Sequence, residues 1–202
     1  MNPTDSLEQE LRRGVPEAGT DLPELTDAAL AAGLLDVAYA SHDSPLGRLL
    51  LASTPTGLVR VAYIDFEDEN QVLDELAERV SPRVLSAPRR LEDVRRELEE
   101  YFVGTRRAFD VPLDWQLLKG FGRRVLGATA RIPYGSVSTY KGVATGAGSP
   151  NAFRAAGNAL GSNPMPIVLP CHRVLHSGGG LGGYTGGLDR KRTLLAIERG
   201  GL

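Results

Sequence analysis

The residue most able to do chemistry is Cys171, the one cysteine among 202 residues. It lies in the stretch IVLPCHRVLH, followed at once by His172 and Arg173. An adjacent imidazole and a cation can lower the pKa of a thiol, and the thiolate is the nucleophilic form of cysteine. The Gly-rich loop 177–187 comes next, where a backbone without side chains can approach a ligand closely. The pattern favours a nucleophilic cysteine, and the alternative is a buried, inert thiol.

The cysteine count limits the reaction classes and the compartment. Acyl transfer, redox exchange and attack on an alkyl carbon are open to such a thiol, but redox exchange is disfavoured because no second cysteine resolves it. One Cys with three His forms neither an intramolecular disulfide nor a zinc ligand cluster. The N-terminus is acidic and polar, and no apolar run approaches the roughly 20 residues of a membrane span. We expect no metal and a reducing, cytoplasmic setting.

The charge is divided unequally along the chain. Residues 1–116 carry 12 Lys+Arg against 23 Asp+Glu, a balance of −11, whereas residues 117–202 carry 11 against 2, a balance of +9. A basic half of this kind favours contact with a polyanion, because neutralised phosphates release counterions. The alternative is that the two halves attract each other across an interface.

The same division appears in the pattern of elements. Residues 1–35 read as an N-terminal extension with short helical patterns, and residues 36–116 as a small α/β domain. Short apolar runs separated by turns predict an antiparallel meander, and apolar residues at helical spacing predict two helices after it. The expected elements are strands over 36–42, 47–54 and 57–65 and helices over 70–80 and 89–102.

Residues 117–202 are expected to be mostly helical. Helices are predicted over 117–132, over 138–144 with Ser138 as its cap, and over 152–160. This outline is typical of a helix-turn-helix, although many bundles contain such a pair without touching DNA. The third helix is dominated by small residues around Arg154, and a buried extended segment is expected to deliver Cys171.

These motifs together resemble the O6-alkylguanine-DNA alkyltransferase family. The resemblance rests on PCHRV at 170–174, on Asn163 and Arg154 upstream of it, on IPYGSVSTY at 132–140 and on GGYTGGLDRKRTLLAIE at 182–198. It covers roughly residues 36–198. The implied fold is α+β: a small antiparallel-sheet domain with helices, then a mostly helical domain with a helix-turn-helix and a catalytic cysteine loop.

The resemblance implies a single-turnover DNA repair reaction without a cofactor. Cys171 would take the alkyl group of O6-alkylguanine, with O4-alkylthymine as a further possible substrate, and keep it as a thioether. His172 would be the base, acting through a water and oriented by Glu198, whose alternative reading is a surface carboxylate. Tyr140 would supply a proton to guanine N3, and Asn163 would brace the cysteine loop.

The resemblance also assigns the DNA contacts. The target base would be flipped out of double-stranded DNA approached through the minor groove, and Arg154 would fill the vacated space. Tyr184 would wall the base pocket, and the hydroxyl of Thr185 or the adjoining backbone amide would reach O6. Backbone carbonyls near Cys171 and Val174 would read the exocyclic amine. We expect a monomer. The expected phosphate contacts are Arg123, Arg124, Lys141 and Arg173.

Three features of the sequence depart from the family pattern, and one of them is Leu126 in place of an expected tryptophan. Phe153 is bulkier than the small residue expected before the arginine, and KGVATGAG at 141–148 differs from the usual turn helix. Two other functions remain open at this point: a lesion sensor that does not repair, and a DNA-binding regulator that is switched by alkylation of Cys171.

Overall fold

The computed structural model describes residues 35–200. The helical patterns predicted over 6–13 and 25–35 lie outside the described residues, apart from Leu35, which is buried.

A four-stranded sheet forms the first half of the described chain. Its strands are β1 (Val37–Ser44), β2 (Gly47–Thr54), β3 (Gly57–Tyr63) and β4 (Val84–Ser86), in the order β3-β2-β1-β4. The first three form the predicted antiparallel meander, which is confirmed. Strand β4 pairs parallel to β1, and its three residues are too few to give a strand pattern in the sequence.

Two helices flank the sheet, as the sequence predicts. They are α1 (Glu69–Arg79) and α2 (Glu92–Phe102), and a short 3-10 turn, Pro88–Leu91, leads into α2. Asp68 caps α1 by accepting a hydrogen bond from the Gln71 amide at 3.0 Å. The buried face of α2 carries Leu98 and Tyr101, so this helix is part of the core.

The outer edge of β3 is covered by residues from later in the chain. The Leu58 amide donates to the Pro112 carbonyl, and the Asp114 amide donates to the Leu58 carbonyl, each at 2.8 Å. Further along, the Val61 amide donates to the Pro164 carbonyl at 2.8 Å. The otherwise open edge of β3 therefore forms backbone hydrogen bonds with two later segments: the linker, residues 103–119, and the segment that leads to Cys171.

The second half contains four helices and one very small sheet. The helices are α3 (Gly120–Ala130), α4 (Tyr140–Gly146), α5 (Phe153–Gly161) and α6 (Leu188–Glu198). The predicted helix-turn-helix is confirmed, and α4 and α5 pack on each other and on α3. The expected cap is wrong by one residue: α4 begins at Tyr140, so the capping position falls on Thr139, which accepts from the Gly142 amide at 3.0 Å. Ser138 and Thr139 also form the short strand β5 (Ser138–Thr139).

The segment before Cys171 is buried, as expected, but it is not extended. Residues 163–170 form successive turns, and the Leu169 amide donates to the Met165 carbonyl at 2.8 Å. Ile167 has φ of 74°, a rare value for a β-branched residue. The expectation of an extended segment was wrong, because the chain turns back on itself after Met165, and only the Pro164 carbonyl bonds to strand β3.

The main apolar core runs through both halves, from Ala40 in β1 to Ile197 in α6. The division into 36–116 and 117–202 stays a prediction. Within residues 35–200, no helix has both the length and the apolar character needed to cross a membrane.

Gly57 makes the contact between β3 and the linker possible. Its φ is 149°, and a side chain there would clash with the Pro112 carbonyl. We expect Gly57→Ala to lower the free energy of unfolding by about 3 kcal/mol, because backbone strain and overpacking add. Gly104 is the matched control, since its φ is 78° and nothing lies within 4 Å of the added carbon. Gly104→Ala should lower the free energy of unfolding by about 1 kcal/mol. Urea titrations of both variants measure the two losses. Equal losses in the two variants would contradict the close approach.

Candidate active site

Cys171 lies at the start of a short 3-10 turn, Cys171–Arg173, and lines a cavity of about 840 Å³. Only 5% of the residue is exposed, so the sulfur is reached through this cavity. Strand β6 (Val174–Leu175) follows the turn and pairs parallel to β5. Since Tyr140 comes directly after β5, this pairing brings it to the cysteine loop.

The sulfur sits among few polar groups. The Asn163 side chain donates to the sulfur at 3.2 Å and to the Leu169 carbonyl at 2.8 Å, and its oxygen accepts from the Met165 amide. Asn163 therefore lies where a brace for the loop is expected. Burial raises the pKa of the thiol to about 11, although the Asn163 hydrogen bond opposes the rise. The expectation of a lowered thiol pKa was wrong for the resting protein, because desolvation outweighs the neighbouring positive charges.

His172 and Glu198 form a buried pair behind the cysteine. His172 is fully buried, and its Nε2 lies 2.8 Å from Glu198 Oε1. Burial lowers the pKa of His172 and outweighs the opposite effect of Glu198. A neutral imidazole beside a carboxylate must carry its proton on Nε2, and Nδ1 then keeps its lone pair. Nδ1 is buried and has no hydrogen-bond partner among the described residues, so it is the nitrogen free to accept a proton.

Glu198 is held in its charged form by several donors. Burial by itself would raise its pKa, but hydrogen bonds from His172 and Arg173 and their charges outweigh burial and lower it to about 2. Tyr101 donates to the carboxylate at 2.7 Å, and the Gly135 amide donates at 3.1 Å. Glu198 is thus not a surface carboxylate.

Arg173 is placed differently from the expectation. Its guanidinium donates to both Glu198 oxygens at 2.8–3.0 Å and to the Ile132 carbonyl at 2.6 Å, and the residue is buried. A phosphate contact by Arg173 was therefore the wrong expectation, because its donors are used inside the protein. Its position is that of a counter-ion that fixes the carboxylate.

Lys191 is a buried residue near the site that the sequence analysis missed. Its ammonium is inaccessible to solvent and donates to the carbonyls of Val174, Leu181 and Gly183. Burial lowers the pKa of Lys191 to about 8, while the charge of Lys191 lowers the pKa of Cys171. In the sequence it lies inside a basic run, which is typical of an exposed helix face.

Tyr140 lines the cavity together with Cys171. Its ring packs against His176, with ring centroids 5.0 Å apart. Gly182 has φ of 68°, and a side chain there would clash with the Tyr140 hydroxyl. A glycine at this position lets the Gly-rich loop close over the tyrosine.

Tyr184 and Thr185 also line the cavity. The Tyr184 hydroxyl shares a hydrogen bond of 2.8 Å with the hydroxyl of Tyr63, and burial raises the pKa of Tyr184 well above its usual range. Thr185 donates its hydroxyl to the Gly161 carbonyl at 2.8 Å, so the side chain is already engaged. Val174 does not line the cavity, and its carbonyl accepts from Lys191 at 2.7 Å. Since a carbonyl oxygen can accept two hydrogen bonds, reading of the base by the Val174 carbonyl stays a prediction.

The other predicted basic residues are exposed. Arg154 and Lys141 lie on the rim of the cavity. Arg124 donates to the Ala147 carbonyl at 3.2 Å, and the Arg123 guanidinium lies 5.9 Å from the centre of the Trp115 ring. Arg154 and Lys141 can therefore contact a ligand that enters the cavity. Arg123 and Arg124 lie on α3 and do not line the cavity.

The first half of the chain contributes two residues that the sequence analysis missed. Tyr101 of α2 reaches Glu198, and Tyr63 of β3 reaches Tyr184. Both look like ordinary core aromatics in the sequence, and no motif marks them. Among residues 35–200, no group of three or more His, Cys, Asp or Glu side chains is placed to hold a metal ion.

Two family models match the chain, and together they span nearly all the described residues. Residues 37–115 match the 6-O-methylguanine DNA methyltransferase ribonuclease-like domain, and residues 120–200 match the DNA binding domain of the same family.

Individual proteins agree with this match. The chain is 41% identical over 165 residues to a methylated-DNA–protein-cysteine methyltransferase of Mycolicibacterium paratuberculosis, covering 81% of this chain and 93% of that protein. It is 35% identical to the constitutive enzyme of that name from Bacillus subtilis, covering 80% and 94%. The crystal structure of Mycobacterium tuberculosis OGT in complex with DNA has a TM-score of 0.69 at 36% identity and covers 81% and 93%.

The described residues form an α+β protein. A sheet-containing half is followed by a helix-turn-helix half, in which a cysteine lines a cavity next to a buried His–Glu pair. The chain belongs to the 6-O-methylguanine DNA methyltransferase family, and the resemblance seen in the sequence is confirmed.

The buried Glu198 carboxylate should be important for stability. In Glu198→Gln the Arg173 charge stays buried without a counter-ion, so we expect the free energy of unfolding to fall by about 3 kcal/mol. Since the pKa of Glu198 is lowered to about 2, its contribution is present above its ordinary value of 4.5 and is lost as the pH falls towards 2. Urea titrations at several pH values should show a smaller acid-dependent loss in the variant.

Asp189 supplies the control, because it lies on the same helix with an almost fully exposed side chain. Asp189→Asn should change the free energy of unfolding by less than about 0.5 kcal/mol. If Glu198→Gln were equally mild, the carboxylate would not be the centre of the buried network.

Lys191 should increase the reactivity of Cys171. Lys191→Met removes a charge that lowers the thiol pKa, so alkylation of Cys171 by iodoacetamide at neutral pH should slow by up to about tenfold, the change that one pKa unit produces. Arg192→Met is the matched control, since Arg192 is exposed and pairs with Asp189. Circular dichroism verifies folding, and unchanged alkylation in folded Lys191→Met would contradict the effect.

Proposed function

We propose that the protein repairs DNA by transferring the alkyl group of O6-alkylguanine to Cys171, once per molecule and irreversibly. The observation that carries the proposal is the geometry of one site: the only cysteine lines a cavity, and the next residue, His172, forms a buried pair with Glu198. The names of the relatives agree with this reaction. No cofactor takes part, because the thiolate attacks the alkyl carbon itself.

The first step is removal of the thiol proton. The pKa of Cys171 is about 11, so the resting sulfur is protonated and transfer requires a base. His172 Nδ1 is the proposed acceptor, through a bridging water, and the charged Glu198 stabilises the imidazolium that forms. Asn163 and Lys191 stabilise the developing thiolate, since both lower the thiol pKa.

The second step is displacement at carbon. A bond forms between the Cys171 sulfur and the alkyl carbon while the bond from that carbon to guanine O6 breaks. The electron pair of the broken bond stays with guanine, which takes a proton at N3 from Tyr140. The proton lost by the thiol replaces the one given by Tyr140, so the net products are a thioether and neutral guanine. A thioether is stable in water, and the protein is consumed.

The lesion in duplex DNA must first leave the base stack. We propose that α5 enters the minor groove, with Arg154 in the space vacated by the flipped base. The exposed side of α5 supports this, because the small residue Ala155 follows Arg154 there. Lys141, Arg123 and Arg124 are the proposed phosphate contacts, while Tyr184 walls the base. The protein would act as a monomer in a reducing cytoplasm, where Cys171 stays a free thiol.

Mass spectrometry tests the transfer directly. After incubation with a duplex containing O6-methylguanine, the peptide with Cys171 should gain one methyl group in place of a hydrogen, and the DNA should contain guanine. With excess DNA, the yield should stop at one methyl group per protein. Cys171→Ala should bind the same duplex and leave the lesion intact. Binding by the wild type without a mass change would instead identify a lesion sensor and overturn the proposal.

A further inference from the structure

Phe153 is an aromatic side chain exposed at the entrance to the cavity. It is the first residue of α5, 46% of it is exposed, and it lines the cavity that holds Cys171. Other large apolar residues between 35 and 200 are exposed as well, but Phe153 is the one among them that lines this cavity. An apolar ring at this point is available to a ligand that enters.

Phe153 and Arg154 lie side by side on the rim. The Arg154 guanidinium carbon lies 5.9 Å from the centre of the Phe153 ring. Ala155, which follows them, is small and exposed, so nothing bulky next to them on α5 would keep a groove away. Lys141 adds a second positive charge to the rim. The rim therefore combines one apolar ring with two cations. The cations suit the phosphates of a nucleic acid, and the ring suits the face of an unstacked base.

Resting on the proposed function, we propose that Phe153 is a second wedge, inserted into the base stack next to the nucleotide that Arg154 replaces. Flipping one guanine leaves its neighbours exposed to water on one face. The planar ring of Phe153 covers such a face, whereas the guanidinium of Arg154 offers hydrogen bonds to the unpaired partner base. The two side chains thus have different roles. Burial of the Phe153 ring between bases offsets part of the free-energy cost of unstacking.

The same side chain could instead pack on the alkylated base inside the cavity. These roles differ in what they require. A wedge acts only on duplex DNA, whereas a cavity wall acts on every substrate that enters, including the free base O6-benzylguanine. Comparison of the two substrates therefore separates them.

The experiment measures transfer rates for Phe153→Ala with both substrates. We expect the second-order rate constant with duplex O6-methylguanine to fall about tenfold, equivalent to about 1.4 kcal/mol, with less than about a twofold change for O6-benzylguanine. Phe153→Leu should recover part of the loss, because a shorter apolar side chain can still enter the stack. Phe66→Ala is the matched control, since Phe66 is 62% exposed and does not line the cavity.

A second measurement does not depend on transfer. In Cys171→Ala protein, binding should raise the fluorescence of 2-aminopurine placed next to the lesion, and adding Phe153→Ala should reduce this rise. Failure of the wild type to methylate Cys171 would overturn the proposed function, while the fluorescence would still test the wedge. Equal losses on duplex and free base, or unchanged fluorescence in the double variant, would overturn the wedge.

Discussion

The buried carboxylate of Glu198 is the interaction on which the site depends. An isolated charge in the protein interior is strongly unfavourable, and here the cost is offset by Arg173, by His172 and by the Tyr101 hydroxyl. Because the carboxylate stays charged, it fixes the proton of the imidazole on Nε2. One buried ion pair thus sets the orientation and the tautomer of the His172 imidazole.

The environment of the sulfur has the opposite character. Burial keeps Cys171 protonated, and the nearby Asn163 and Lys191 only partly compensate for the lost hydration. A protonated thiol reacts slowly with stray electrophiles. Under the proposed function, reaction then requires transfer of the thiol proton to His172. If each molecule reacts only once, a thiol that is unreactive at rest keeps the protein available for repair.

The acidic first half of the chain is structurally part of the site. Val61 of β3 holds the Pro164 carbonyl, Tyr63 holds the Tyr184 hydroxyl, and Tyr101 of α2 holds Glu198. Arg190 also donates to the Leu46 carbonyl at 2.6 Å. Arg190 also forms an ion pair with Asp65 of the first half, so attraction between oppositely charged halves, an alternative explanation for the charge asymmetry, is present at this pair. The two interpretations do not exclude each other.

The sequence alone determined the family, the three-stranded meander, the helix-turn-helix and which residue is the candidate nucleophile. These follow from local periodicity and from a contiguous motif. Both signals can be recognised in the sequence without knowing which distant residues are in contact. Tertiary structure decided which basic residues face outward: Arg173 and Lys191 look like surface cations in the sequence, yet both are buried. It also decided the thiol pKa and brought Tyr101 to Glu198, 97 residues away. Burial and long-range contacts depend on how the two halves pack together, and no local pattern of residue types carries that information.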